Sequence, residues 1–206
     1  MGPRLQVFQR ILGIRSPIAD KFPRFIVMSD EKRLPDPISL LPRLPKGSAI
    51  ILRHYGVKSR EAIAKKLVKA GRRNKIRILI SNDLKLAIRC GAHGVHWSSR
   101  AAEKLAGAPR RPCHNWLVST AVHSRKEAAK AQSIAADLVL ISPVFPTLSH
   151  PNRQTLGPRG FQRLARISKG RTIPLGGVDA ISVRCLKGVK ICGLSGIGLF
   201  LTKDRK

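Results

Sequence analysis

A parallel α/β fold closed into a single-domain (β/α)8 (TIM) barrel is the architecture this sequence predicts, and three observations predict it. Eight short apolar runs rich in β-branched residues alternate with stretches of helical pattern. A polar loop, Ser142 to Gly157, leaves the sixth run, where α/β folds place their sites. Glycine-rich turns, Gly176-Gly177 and Gly196-Ile197-Gly198, follow the seventh and eighth runs. Eight units favour closure over an open doubly wound sheet, and no G-x-G-x-x-G fingerprint follows the first strand. At 206 residues the chain is short for such a barrel, so its loops must be tight.

Taken in order, Phe25 to Met28 reads as the first strand, closed by Ser29-Asp30. Pro37 to Leu44 reads as a short helix with proline in its first turn. Ala49 to Arg53 is the second strand, and Ser59 caps a helix that runs to Ala70 and is stopped by Gly71. Ile76 to Ile80 is the third strand, with a helix from Asp83 to Cys90 behind it. Gly94 to Trp97 is the fourth strand, followed by a helix from Ser99 to Ala106. Trp116 to Thr120 is the fifth, and Ser124-Arg125-Lys126-Glu127 is a capping box that opens a helix to Ile134. Leu138 to Ile141 is the sixth strand, Gly160 to Ile167 its helix, and Thr172 to Leu175 the seventh strand. Asp179 caps a helix to Leu186, Ile191 to Gly196 is the eighth strand, and only a brief final helix can follow.

Charge sets the partner class. Forty Lys+Arg against eleven Asp+Glu leave a net charge of +29, which favours anions such as phosphorylated metabolites, nucleic acid or an acidic membrane surface. The basic residues are scattered along the chain, and a single tyrosine and no aromatic stripe disfavour sequence-specific RNA recognition. Nucleic acid thus stays open as a partner without being favoured. No apolar run approaches the ~20 residues of a membrane span, so no membrane partner is expected. Four cysteines without a C-x-x-C pair fit reduced thiols in a cytoplasmic protein. Residues 1–22 read as a basic extension and 23–206 as the barrel; assembly into a homo-oligomer is left open.

In a barrel, the residues at the strand carboxyl ends form the site. These include Arg53, Asn82, His96, His123, Thr147, Ser149 and His150, a set suited to a phosphorylated ligand rather than a metal. His93 and His96 point to opposite faces of a strand with no Cys or carboxylate nearby, so no metal pair is expected. Gly176, Gly177, Ile197 and Gly198 are expected to bind phosphate through main-chain N–H groups, helped by a helix N-terminus. Gly177→Val is accordingly expected to abolish binding while the barrel stays folded.

Several of these stretches also carry a resemblance. Ser142-Pro143-Val144-Phe145-Pro146-Thr147, with Ser149-His150 after it, resembles the "G-P-V-F-x-T-x-T-K" loop of the thiamine phosphate synthase/TenI superfamily. Gly91 to His96 is similar to its "G-A-D-G-V-H", Ala121 to Ser124 to its "S-x-H-S", Leu175 to Val178 to its "I-G-G-I", and Arg53 to the arginine of "Q-L-R-x-K". The resemblance spans about Phe25 to Phe200 and implies a barrel that binds a thiazole phosphate in thiamine biosynthesis. Synthases of the superfamily join that phosphate to a pyrimidine pyrophosphate held by Mg2+ and two aspartates. Here Ser81-Asn82 falls on the first Asn-Asp, with Asp83 matching only after a slip of one, and Ala101 falls on the second aspartate. Ile51, Tyr55, Ala121 and His150 replace the Gln, Lys, Ser and Lys of the family motifs. Mg2+ is therefore expected only if synthase activity is retained. The histidine of "S-x-H-S", His123, is what TenI-type thiazole tautomerases use as the acid–base group, and it needs no metal. The retained residues favour the tautomerase. The synthase is the alternative, and a non-catalytic basic barrel that binds RNA or another polyanion is a third reading.

Overall fold

The computed structural model describes residues 21–147 and 154–198. Strand β1 is Phe25–Met28, β2 Ala49–Leu52, β3 Arg77–Ser81, β4 Gly94–Trp97, β5 Leu117–Val122, β6 Leu138–Ile141, β7 Arg171–Pro174 and β8 Leu194–Gly196. Helices α1 (Arg60–Asn74), α2 (Leu84–Arg89), α3 (Ser99–Glu103), α4 (Arg125–Ser133) and α5 (Gly157–Ser168) lie between strands, as do 3-10 turns at Leu41–Arg43 and Ser182–Leu186.

All the ladders are parallel, in the order β7-β6-β5-β4-β3-β2-β1-β8. The remaining seam, β7 to β8, is bridged by the Cys192 N–H donating to the Thr172 carbonyl (2.9 Å) and the Ser195 hydroxyl donating to the Pro174 carbonyl (2.8 Å). The barrel is thus nearly closed. Strands β1, β2 and β6 read as unbroken apolar runs because both faces are covered, side chains inside and helices outside. Phe25, Ile26, Ile50, Ile51, Ile78 and Leu79 are completely buried. Truncating one of them to alanine should cost about 2–5 kcal/mol, since neighbours in a packed interior relax only partly into the hole.

Departures from the sequence reading have local causes. The segment after β1 forms only the 3-10 turn Leu41–Arg43. Gly71 does not end α1, which continues to Asn74 and stops at Lys75 in the left-handed region (φ 58°). Gly71 lies on the inward stripe with Ala64, Leu67 and Val68. A Cβ there would come 2.7 Å from the Ile78 side chain and 2.9 Å from the Ile76 carbonyl, so glycine lets α1 approach β3. Ser59 precedes α1 without a side-chain capping bond, whereas Asp83, Ser98 and Ser124 each accept an N–H from the first turn of their helices. The segment after Asp179 is the 3-10 turn Ser182–Leu186 rather than an α-helix. No helix among the described residues is long and apolar enough to cross a membrane.

Candidate functional site

A cup of about 610 Å³ opens at the carboxyl ends of the strands. Of the candidates, Arg53, His96, His123, Thr147, Gly176, Gly177, Ile197 and Gly198 line it. Asn82 stands outside the lining, and Ser149 and His150 lie outside the described residues.

His123 follows β5 and is positioned by the start of α4. Ser124 accepts the Glu127 N–H, and the Glu127 carboxylate reaches back to accept the His123 N–H. This is the expected capping box with its return bond shifted one residue outward. The His123 ring places Nδ1 2.6 Å from the Ser142 carbonyl oxygen. A carbonyl only accepts, so Nδ1 carries the proton, and in the neutral ring Nε2 holds the lone pair. A half-buried imidazole at the wall of the cup therefore has a fixed tautomer with a basic nitrogen.

The two glycine turns lie at the carboxyl ends of β7 and β8, and both line the cup. Gly176 and Gly177 have φ of +86° and +65°, which only glycine adopts without strain. The Val144 and Phe145 N–H groups donate to the Leu175 and Gly176 carbonyls, both at 3.0 Å, so the turn is laced to the loop after β6. A Cβ on Gly177 would lie 2.3 Å from the Pro146 carbonyl oxygen. The expectation that Gly177→Val spares the fold is thereby corrected: the residue is glycine because another backbone lies against it. Among the described residues, a Cβ on Gly198 would meet only Arg33 Nη2, at 3.9 Å. With only a 3-10 turn after β7, the helix dipole expected at this spot is small. Arg33 supplies the positive charge instead.

Arg33 is a site residue the sequence reading did not single out. Its position is set by Asp30, whose Oδ1 accepts the Lys32 and Arg33 N–H groups at 3.1 and 3.0 Å. The other oxygen, Oδ2, pairs with Arg53 Nη2 at 3.2 Å. Partial burial pushes the Asp30 carboxyl up. The Arg33 and Lys32 N–H bonds and the Arg53 and Arg33 charges outweigh it and hold the carboxyl below its usual value. One ionised carboxylate thus holds the Arg53 guanidinium and the Arg33 main chain at the β1–β2 side of the cup. An aspartate closing the first strand, three residues before an arginine, was the signal available in the sequence.

His96 forms the floor. It is buried, with Nδ1 2.9 Å from the Ser119 hydroxyl, and desolvation together with the Arg53 charge pushes its pKa down to about 3. It is neutral at any physiological pH and can offer a hydrogen bond but no charge.

The end of β3 is already occupied by protein groups. Tyr55 donates to or accepts from Ser81 Oγ at 2.5 Å, and Asn82 Nδ2 donates to the Tyr55 hydroxyl at 3.3 Å. Asn82 Oδ1 accepts the Ser98 N–H at 2.8 Å. Arg60 lies over the Tyr55 ring and pairs with Asp83 at 3.5 Å, while Asp83 Oδ1 caps α2 at 2.8 Å. Among the described residues no three His, Cys, Asp or Glu side chains gather.

The family model described as thiamine monophosphate synthase matches residues 30–199. The thiamine-phosphate synthase of Bacillus velezensis is 25% identical over 193 residues, covering 90% of this chain and 84% of that protein. That of Anoxybacillus flavithermus is 26% identical over 188 residues, covering 87% and 84%. Among solved structures, the thiamine phosphate pyrophosphorylase from Pyrococcus furiosus superposes with a TM-score of 0.67 at 20% identity, covering 86% of each chain, a likeness in fold. With an eight-stranded barrel of this topology and a match over residues 30–199, the chain belongs to the thiamine monophosphate synthase family of thiamine biosynthesis.

Proposed function

We propose that this chain binds a thiazole phosphate in the carboxyl-face cup and that His123 moves a proton on its ring, the reaction of a thiazole tautomerase. The observation that carries the proposal is the 2.6 Å contact from His123 Nδ1 to the Ser142 carbonyl, which leaves Nε2 as a proton acceptor at the cup wall. Nε2 takes a proton from one ring carbon of the substrate. The imidazolium formed keeps its bond to Ser142 and returns the proton to a second ring position, so the heterocycle isomerises with no net gain or loss. The Gly177 and Gly198 N–H groups, with Arg33 beside Gly198, hold the phosphate. Arg53, fixed by Asp30, faces a second anionic group of the substrate.

The donors at the end of β3 do not fit a Mg2+–pyrophosphate clamp. Asp83 already caps α2 and pairs with Arg60, Tyr55 fills the lysine position of the motif, and Ala101 offers no oxygen ligand. The synthase reaction remains the second reading, favoured by the names of the curated relatives. The two separate in an assay of purified protein with both thiazole phosphates, with and without pyrimidine pyrophosphate and Mg2+. Isomerisation without metal or pyrimidine supports the proposal; coupled product that requires Mg2+ overturns it. If neither reaction occurs and RNA binds with steep salt dependence, the inert-barrel reading replaces both.

A further inference from the structure

The opposite end of the barrel holds a second cavity, of about 660 Å³, at the amino ends of β3, β4 and β5. Among the described residues its polar lining is Lys21, Arg72, Arg77, His93, Cys113, Asn115 and Trp116, and no carboxylate takes part. In a chain of net charge +29, three cations around one cavity are ordinary by themselves. The remaining groups are more telling. His93 Nδ1 accepts the Ile78 N–H at 3.0 Å, so in the neutral ring the proton sits on Nε2, a donor. Burial and the Arg72 and Arg77 charges hold the His93 pKa down, which keeps the ring in that form. Trp116 is 4% exposed, and its Nε1–H has no hydrogen-bond partner among the described residues. Arg111 Nη1 donates to the Trp116 carbonyl at 3.0 Å, which fixes the main chain there, and Arg72 Nη2 donates to the Gly91 carbonyl at 2.7 Å, which fixes that guanidinium at the cavity wall. Apart from the Asn115 amide oxygen and the Cys113 thiol, the polar lining consists of donors.

We infer that this cavity is a second ligand site, distinct from the carboxyl-face cup, for a small organic phosphate. A donor lining without a carboxylate selects an oxyanion. The volume exceeds that of inorganic phosphate, and Ile88, Ala92 and Pro112 offer apolar surface for an attached flat body. The chain's own basic amino-terminal segment is a poor occupant, because it carries the same sign of charge as the cavity.

Cys113 gives a reporter, since it is exposed and lines the cavity, while Cys185 is exposed elsewhere. Iodoacetamide labelling of each cysteine, read by peptide mass mapping, is followed against rising AMP and, separately, inorganic phosphate. AMP is expected to slow Cys113 labelling saturably and to leave Cys185 unchanged. Weaker protection by phosphate alone would show the apolar body contributing; equal protection would show that the oxyanion suffices. Arg72→Gln should raise the AMP concentration needed by roughly tenfold, the loss typical of one charge-assisted hydrogen bond. Lys66→Gln, which neutralises an exposed charge on α1 outside the cavity, should not. The inference is overturned if millimolar AMP leaves Cys113 unprotected, if Lys66→Gln weakens protection as much as Arg72→Gln, or if Arg53→Gln in the carboxyl-face cup abolishes it.

Discussion

Lowering the pH from neutrality to 5 is expected to destabilise this barrel by about 2 kcal/mol through His96 alone. In the unfolded chain a histidine gains its proton as pH falls through 6.5; in the barrel, His96 resists protonation until about pH 3. The folded pKa is depressed, so the unfolded state binds more protons between those values and stability falls as pH falls. Each pH unit well inside the window costs about 1.4 kcal/mol, which gives about 2 kcal/mol by pH 5. For a chain of this size that is a drop in Tm of roughly 4–8 °C. The window lies above the ordinary range of Asp and Glu, so histidines dominate it. His93, whose pKa is also lowered, adds to the same trend. Thermal melts of wild type and His96→Gln at pH 7.5 and 5 isolate the term: the variant should lose about 2 kcal/mol less across the interval. An identical pH dependence in both proteins would refute a neutral, desolvated His96 beneath the cup.

Three further outcomes follow from the same geometry. His123→Ala should lower the isomerisation kcat by about 10²–10⁴-fold while calorimetry shows thiazole phosphate still bound. Arg33→Gln should raise KM by roughly tenfold or more with a smaller change in kcat, because its charge stands by Gly198 rather than by the reacting ring. Gly177→Val should unfold at markedly lower temperature, since its Cβ meets the Pro146 carbonyl, whereas Gly198→Ala should melt like wild type and show only weaker phosphate binding; equal melts for both glycine variants would count against the packing argument.

The sequence by itself determined where the strands of the barrel lie along the chain. β1, β4 and β6 occupy the predicted residues; in β1 and β6 this is because a strand buried on both faces is written as an unbroken apolar run. The cap Ser124 was legible for a similar reason: an N-cap bond joins residues two or three apart. His123 and the glycine turns could be located in sequence because each immediately follows a strand.

Tertiary structure alone decided what these residues touch. Gly71 looks like a helix stop in sequence and is a contact glycine in space, because Ile78 lies against it from the neighbouring strand. Gly177 looks like a phosphate glycine and is also held to glycine by Pro146, in a different loop. Asn82 ends up outside the cup because Tyr55 and Ser98, remote in sequence, claim its amide. Arg33 enters the site because Asp30 folds the chain after β1 back toward Gly198. Periodicity and capping act over a few residues and can be read from a single chain. Contacts between side chains from different βα units depend on how the strands close around the barrel, and a linear pattern does not record that.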